Sequence, residues 1–144
     1  MNIIETCEQG SIEWLSLRLG KITASRVKDV LTKGRGTSPS KTAESYMMEL
    51  IAEILTGNSK PFFENDAMRW GTETVPQARA MYAVNNDFVD VKEVAFVEHN
   101  EKVGISPDGL IGDDGLLEIK CPNTTTQLKR ALSDDYSSDY KAQI

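Results

Sequence analysis

Residues 103–122, VGISPDGLIGDDGLLEIKCP, hold two short apolar runs on either side of Gly112-Asp113-Asp114-Gly115, a turn by composition. In an antiparallel pair joined this way, alternation decides the faces and the turn decides the register. Alternation puts Glu118 and Lys120 on one face of the second strand and Leu117, Ile119 and Cys121 on the other. Asp108 shares the face of Glu118 only if Ile111 lies opposite Gly115, which leaves a three-residue loop, 112–114. A two-residue turn at Asp113-Asp114 sends Asp108 to the wrong face. Two acids and a lysine on one face of an apolar strand pair are costly to bury unless they are paired or hold a metal.

Proline, aspartate, a ten-residue step, glutamate, one spacer and lysine is the pattern of metal-dependent nucleases. Two carboxylates supply hard oxygen ligands for Mg²⁺ or Mn²⁺. The lysine stands beside the attacking water or the charge developing on phosphate. On spacing alone an ordinary hairpin with solvated charges stays open, because such spacings are common by chance. Other chemistries have less to work with. His99 is the only histidine, which argues against a zinc site or a Ser-His-Asp triad. Cys7 and Cys121 are too few for a disulfide framework or an iron–sulfur cluster, and two free thiols suit a reducing cytosol.

At 144 residues the chain is read as one domain, 1–144, with a real core. It has no apolar run of membrane-spanning length and no signal-peptide pattern at its N-terminus. The formal charge of −6 argues at first against nucleic acid. Its distribution does not. Residues 18–41 carry Arg18, Lys21, Arg26, Lys28, Lys33, Arg35 and Lys41 against Asp29 alone, a local +6 that leaves −12 for the rest. Such asymmetry suits phosphate at one rim and metal at an acidic centre; a solvated basic helix and loop is the competing reading.

Along the chain, residues 1–10 read as an irregular or extended lead-in. Ser11 caps a short helix with Trp14, Leu15 and Leu17 inward, ending at Gly20. Thr23 or Ser25 opens a second helix to about Leu31. Ser38-Pro39 signals the start of a third, which places Tyr46, Met47, Leu50, Ile51, Ile54 and Leu55 at helical spacing as core and stops at Gly57. A long helix spans about 65–83, with a kink or break expected just before Pro76. Val89 and Val91, then Val94 and Phe96, mark two β segments. After the hairpin, 124–132 reads as a helix with Leu128 and Leu132 inward, 133–138 as polar, and 140–144 as a further helical turn.

Trp14-Leu15-Ser16-Leu17-Arg18-Leu19-Gly20-Lys21-Ile22-Thr23-Ala24-Ser25 resembles the N-terminal signature of phage lambda-type exonucleases, the viral recombination nucleases. Trp70-Gly71 followed by Ala78-Arg79 resembles their middle helix. Ser106-Pro107-Asp108-Gly109 and Glu118-Ile119-Lys120-Cys121-Pro122 are similar to their two metal-site motifs. The four motifs stand in the family's order over residues 14–122, and the match spans about the N-terminal two-thirds of a usual member. The resemblance implies an α/β fold with a restriction-endonuclease-like PD-(D/E)XK core, a small mixed or antiparallel sheet flanked by helices and truncated at its C-terminal side. It also implies Mg²⁺-dependent (or Mn²⁺-dependent) 5′→3′ digestion of one strand of duplex DNA, leaving a 3′ overhang for a single-strand annealing protein. Homo-oligomers occur in the family. The setting implied is the cytoplasm of a bacterial host carrying the phage or prophage. By matching position, Asp108, Glu118 and the Ile119 carbonyl are metal ligands and Lys120 orients or activates water, so that Asp108, Glu118 and Lys120 form the catalytic set. Arg18, Ser25 and Ser106 line a 5′-phosphate pocket. Glu73, Glu98 and Gln143 are further candidates.

The sequence departs from the family's pattern in three places. A glutamate is expected four residues after the glycine of Trp70-Gly71, and Val75 stands there. Glu73, two residues earlier, lies about 200° away round a helix. The family continues beyond Gln143, whereas Ile144 is the last residue here. Thr126 stands where some members carry a basic phosphate contact. Two readings follow: a metal-dependent DNA exonuclease of phage recombination, or a catalytically inactive nuclease-fold module that binds DNA ends or a recombination partner.

Overall fold

Val94, Ala95, Phe96 and Val97 are buried without a break, and Phe96 has no exposed surface at all. A run of this kind fits a strand covered on both faces rather than the alternation expected there. In the computed structural model, the strand it leads into, β4 (Phe96–Asn100), is flanked on both edges. The structure describes residues 1–133 without 62 and 64, together with Tyr140 and Gln143. The polar stretch at 133–138 and the helical turn at 140–144 therefore lie mostly outside the described residues. The chain divides into two compact units. One comprises Met1–Pro61, Val94–Ser106 and Ala142–Ile144, and the other Phe62–Glu93 and Pro107–Lys141.

The first unit holds a four-stranded mixed sheet in the order β1 (Asn2–Ile4), β4, β5 (Val103–Ile105), β2 (Ile22–Thr23). Strands β1, β4 and β5 pair antiparallel, and β2 joins β5 in parallel, with Ile22 opposite Val103 and Thr23 opposite Gly104. A Cβ on Gly104 would collide with the Phe96 ring, so the missing side chain at Gly104 is what leaves the ring its place on the neighbouring strand. Strand β1 falls within the lead-in read as irregular or extended, whereas β2 was not anticipated. At two or three residues each they offer no alternation to read.

Helix α1 (Ile12–Arg18) begins where the Ser11 hydroxyl accepts the Trp14 N–H, and the chain turns away from it through Gly20 at φ +66°. A 3-10 turn at Ala24–Arg26 leads into α2 (Val27–Leu31). Helix α3 (Lys41–Thr56) is capped by Ser40 and closed by Gly57 in the left-handed region. Its end was anticipated, and its inward face only at Tyr46. Tyr46 is buried, but Met47, Ile51, Ile54 and Leu55 are exposed. The face turned inward instead makes polar bonds to residues 20–26. Glu53 accepts the Gly20 N–H at 2.9 Å, Tyr46 Oη lies 3.4 Å from both the Thr23 N–H and the Lys21 carbonyl, and Glu49 pairs with Arg26 at 3.2 Å. Satisfied polar groups can outweigh an apolar stripe when the backbone they hold has no other partner.

The second unit holds α4 (Asp66–Asn85), an antiparallel sheet in the order β3 (Val91–Lys92), β6 (Gly109–Ile111), β7 (Gly115–Leu117), and α5 (Thr124–Ser133). Helix α4 is unbroken through Pro76, so the expected break does not occur. Proline there leaves the Thr72 carbonyl without its helical donor. Leu128 and Leu132 of α5 are exposed rather than inward. Among the described residues no helix is long and apolar enough to cross a membrane.

Candidate active site

The hairpin register is the one that brings the acids together. Gly109 lies opposite Leu117, Leu110 opposite Leu116 and Ile111 opposite Gly115, leaving the three-residue loop 112–114 with Gly112 at φ +59°. Continued by one residue, this pairing sets Asp108 against Glu118, and the Asp108 N–H donates to the Leu117 carbonyl at 3.0 Å. Asp108 Oδ2 accepts the Ile119 N–H at 2.6 Å. Lys120 pairs with Glu118 and also faces the Tyr140 ring at 5.2 Å. All of these groups lie in the second unit. Asp108 and Glu118 are half-buried, so they are neither fully solvated nor sealed from an incoming ion.

Two carboxylates at adjoining strand ends, with a main-chain carbonyl at Ile119 between Glu118 and Lys120, fit a hard cation that keeps several waters. Among the described residues no three His, Cys, Asp or Glu side chains cluster as a fuller cage. Val75 on α4 is half-buried, while Glu73 is exposed, as the angle between them requires. Cys121 lies next to Lys120 in sequence and is half-buried. Burial, and then the negative charge of Asp108, push its thiol above the ordinary range.

A second grouping lies in the first unit. Arg18, in the last turn of α1, donates to Ser106 Oγ at 3.0 Å and reaches Thr23 Oγ1 at 3.5 Å. Its guanidinium lies 4.2 Å from the Trp14 ring centre. The Trp14 Nε1–H is shared between Ser106 Oγ at 2.9 Å and the Ala95 carbonyl at 3.1 Å. Ser25 is exposed and comes within 3.4 Å of Thr23 Oγ1. Burial lowers the Arg18 pKa, and the charges of Tyr46 and Glu53 only partly offset it. Among the described residues Arg18 makes no ion pair; hydroxyls and an indole hold it. A half-desolvated cation without a carboxylate can accept an anion, and a guanidinium fork suits phosphate oxygens. Trp14 and Thr23 are participants that motif reading did not single out, although both lie in the N-terminal signature.

The remaining candidates fall elsewhere. Glu98 on β4 takes a hydrogen bond from Asn2 at 3.1 Å and pairs with Lys21 at 3.3 Å. Gln143 is half-buried and groups with the first unit. Thr126 donates its N–H to the Asn123 side chain in the first turn of α5.

Comparison with known proteins gives these arrangements a setting. Residues 13–144 match the family described as the YqaJ-like viral recombinase domain. The fold is similar to that of an alkaline exonuclease, LHK-Exo, from Laribacter hongkongensis, at 43% identity and a TM-score of 0.79, over 93% of this chain and 65% of the relative. The same exonuclease in complex with dAMP gives a TM-score of 0.78 at 43% identity, over 92% and 65% of the two chains. A phage related exonuclease from Haemophilus somnus shares the fold at 18% identity and a TM-score of 0.59, over 85% of this chain and 59% of its own. The chain thus spans about 65% of the length of LHK-Exo. No curated protein matches it.

Proposed function

The chain belongs to the YqaJ-like viral recombinase domain family, and from that premise we propose that it is a metal-dependent DNA exonuclease of phage recombination. It degrades the 5′ strand of linear duplex DNA by phosphodiester hydrolysis. The carrying observation is the hairpin register that sets Asp108 against Glu118 with Lys120 paired beside them. We read residues 1–144 as one exonuclease-like domain, a reading supported by the extent of its match to LHK-Exo.

Asp108, Glu118 and the Ile119 carbonyl would hold Mg²⁺ or Mn²⁺, which supplies Lewis-acid polarisation of phosphate and a more acidic water. Lys120 leaves Glu118 for the charge that builds on the scissile phosphate, or orients the attacking water. Arg18, with Ser106 beside it and Ser25 linked to it through Thr23, receives the 5′-phosphate. Refilling that pocket each cycle requires the P–O3′ bond to break. The water oxygen then bonds to phosphorus, O3′ takes a proton, and the shortened strand keeps a 5′-phosphate. LHK-Exo has been seen with dAMP, and a nucleoside 5′-monophosphate is the product this scheme releases.

The protein's partners are duplex ends and, downstream, a single-strand annealing protein that takes the 3′ overhang. We place it in the cytoplasm of a bacterial host. One observation favours a second reading, a silent module that binds DNA ends. Val75 offers no oxygen where a third carboxylate is expected, and no third acid joins the pair among the described residues. Incubation with end-labelled linear duplex, with or without a 5′-phosphate, in Mg²⁺ or EDTA, tests both. Mg²⁺-dependent shortening from phosphorylated 5′ ends supports the exonuclease. Retention of ends without shortening supports the silent module.

A further inference from the structure

Helix α4 carries an arginine that is nearly enclosed. The Arg79 side chain is 15% exposed, and one of its terminal nitrogens pairs with Glu93 just after β3. Its Nε donates to the main-chain carbonyl of Asp108 at 2.7 Å. Arg79 follows Val75 by four residues, so both lie on one stripe of the helix. Asp108 is then held at three points: its N–H by Leu117, its carbonyl by Arg79 and its Oδ2 by the Ile119 N–H. The choice of the carbonyl matters. A guanidinium paired directly with the carboxylate would neutralise it and compete with any cation, whereas a bond to the main chain orients the residue and leaves its charge available.

We infer that Arg79 is a positioning residue, which fixes the direction in which the Asp108 carboxylate leaves the strand, with Glu93 holding the guanidinium in place. The functional consequence rests on the reading of Asp108 as an ion ligand, but the geometry can be tested without an ion. The Ile119 amide reports the Asp108 carboxylate directly, because its N–H is bonded to Oδ2.

Hydrogen exchange followed by NMR in the metal-free full chain reads that bond. Arg79→Met keeps a long apolar stem and removes every donor. Exchange at Ile119 should quicken about tenfold, as expected for losing one charge-assisted hydrogen bond, while Phe96 and Val97 amides keep their rates. Calorimetry with Mg²⁺ alone should give an affinity about tenfold weaker, partly recovered in Arg79→Lys. An unchanged Ile119 rate overturns the inference. So does an equal quickening at every amide, which would make Arg79 a fold contact only. If Mg²⁺ binds neither wild type nor variant, the ion reading fails and Ile119 exchange alone decides the positioning role. If Arg79→Met does not fold, Glu93→Gln is read in the same way. It should quicken Ile119 about threefold, in line with loss of a mostly exposed ion pair, and no change there overturns the inference.

Discussion

Arg18 is a cation held by neutral partners, whereas Glu118 is an anion already paired with a cation. The first grouping draws on Trp14, Arg18, Thr23 and Ser106, scattered over more than ninety residues of chain, and it lacks an ion pair among the described residues. The second is built from one hairpin, with Lys120 against Glu118 and the Ile119 N–H against Asp108. A ligand at Arg18 therefore adds a missing charge. An ion at Asp108 and Glu118 would compete with the ammonium of Lys120. The first site should bind anions with little rearrangement. The second should couple ion entry to release of Lys120, the group that the proposed mechanism uses beside the phosphate.

The most severe way to break this comparison is to remove an acid. Asp108→Ala should weaken Mg²⁺ binding by at least about a hundredfold, roughly 2.7 kcal/mol, by calorimetry. Lys120→Ala should keep or tighten binding, because the competing ammonium is gone, yet abolish cleavage. Unchanged ion affinity in Asp108→Ala would sink the ligand assignment. Next comes the cation. Arg18→Ala should leave Mg²⁺ affinity alone and erase a preference for 5′-phosphorylated ends worth about thirtyfold, roughly 2 kcal/mol for a charge-assisted bond. A preference that survives the substitution would remove Arg18 from the pocket.

Val75→Glu sharpens the contrast by giving the hairpin a third acid. Cleavage of 5′-phosphorylated duplex should rise by at least about tenfold, some 1.4 kcal/mol of transition-state stabilisation. A fall in rate would mean that position 75 serves packing alone. The smallest effect is the control at Glu98, a Lys–Glu pair like that of Glu118. The Asn2 hydrogen bond and then Lys21 hold its carboxyl below the ordinary value of 4.5. A lowered folded pKa means stability that is present above 4.5 and lost as pH falls through the folded value. Glu98→Gln should cost about 0.5 kcal/mol in thermal melts near pH 7 and nothing in strong acid, with Mg²⁺ affinity unchanged throughout. Altered Mg²⁺ affinity would show that a Lys–Glu pair alone does not distinguish the two places.

What could be read in advance follows the same division. The hairpin was legible as a choice between two registers, because one slip reverses every side chain; Ile111 opposite Gly115 is the one that brings the acids together. The caps at Ser11 and Gly57 were legible because they are local. The surroundings of Arg18 were legible only as a motif. Nothing in the spacing of Trp14, Thr23 and Ser106 says that they converge, since β2 reaches β5 through a pairing of two residues. The rest of the inward face of α3 failed for a related reason. Its partners are backbone groups of residues 20–26, such as the Gly20 N–H that Glu53 accepts, and these have no sequence signature.

The shared N–H of Trp14 has an optical consequence. Its indole is clasped at the nitrogen by Ser106 and Ala95 and lies against the Arg18 guanidinium, so its excited state senses the charge balance of that cradle. The only other tryptophan, Trp70, is half-exposed on α4 in the other unit and emits from a largely aqueous setting. The chain therefore carries a built-in fluorophore at the cation and a red-shifted background elsewhere. Arrival of an anion at Arg18 can be followed by emission colour alone, with no label attached.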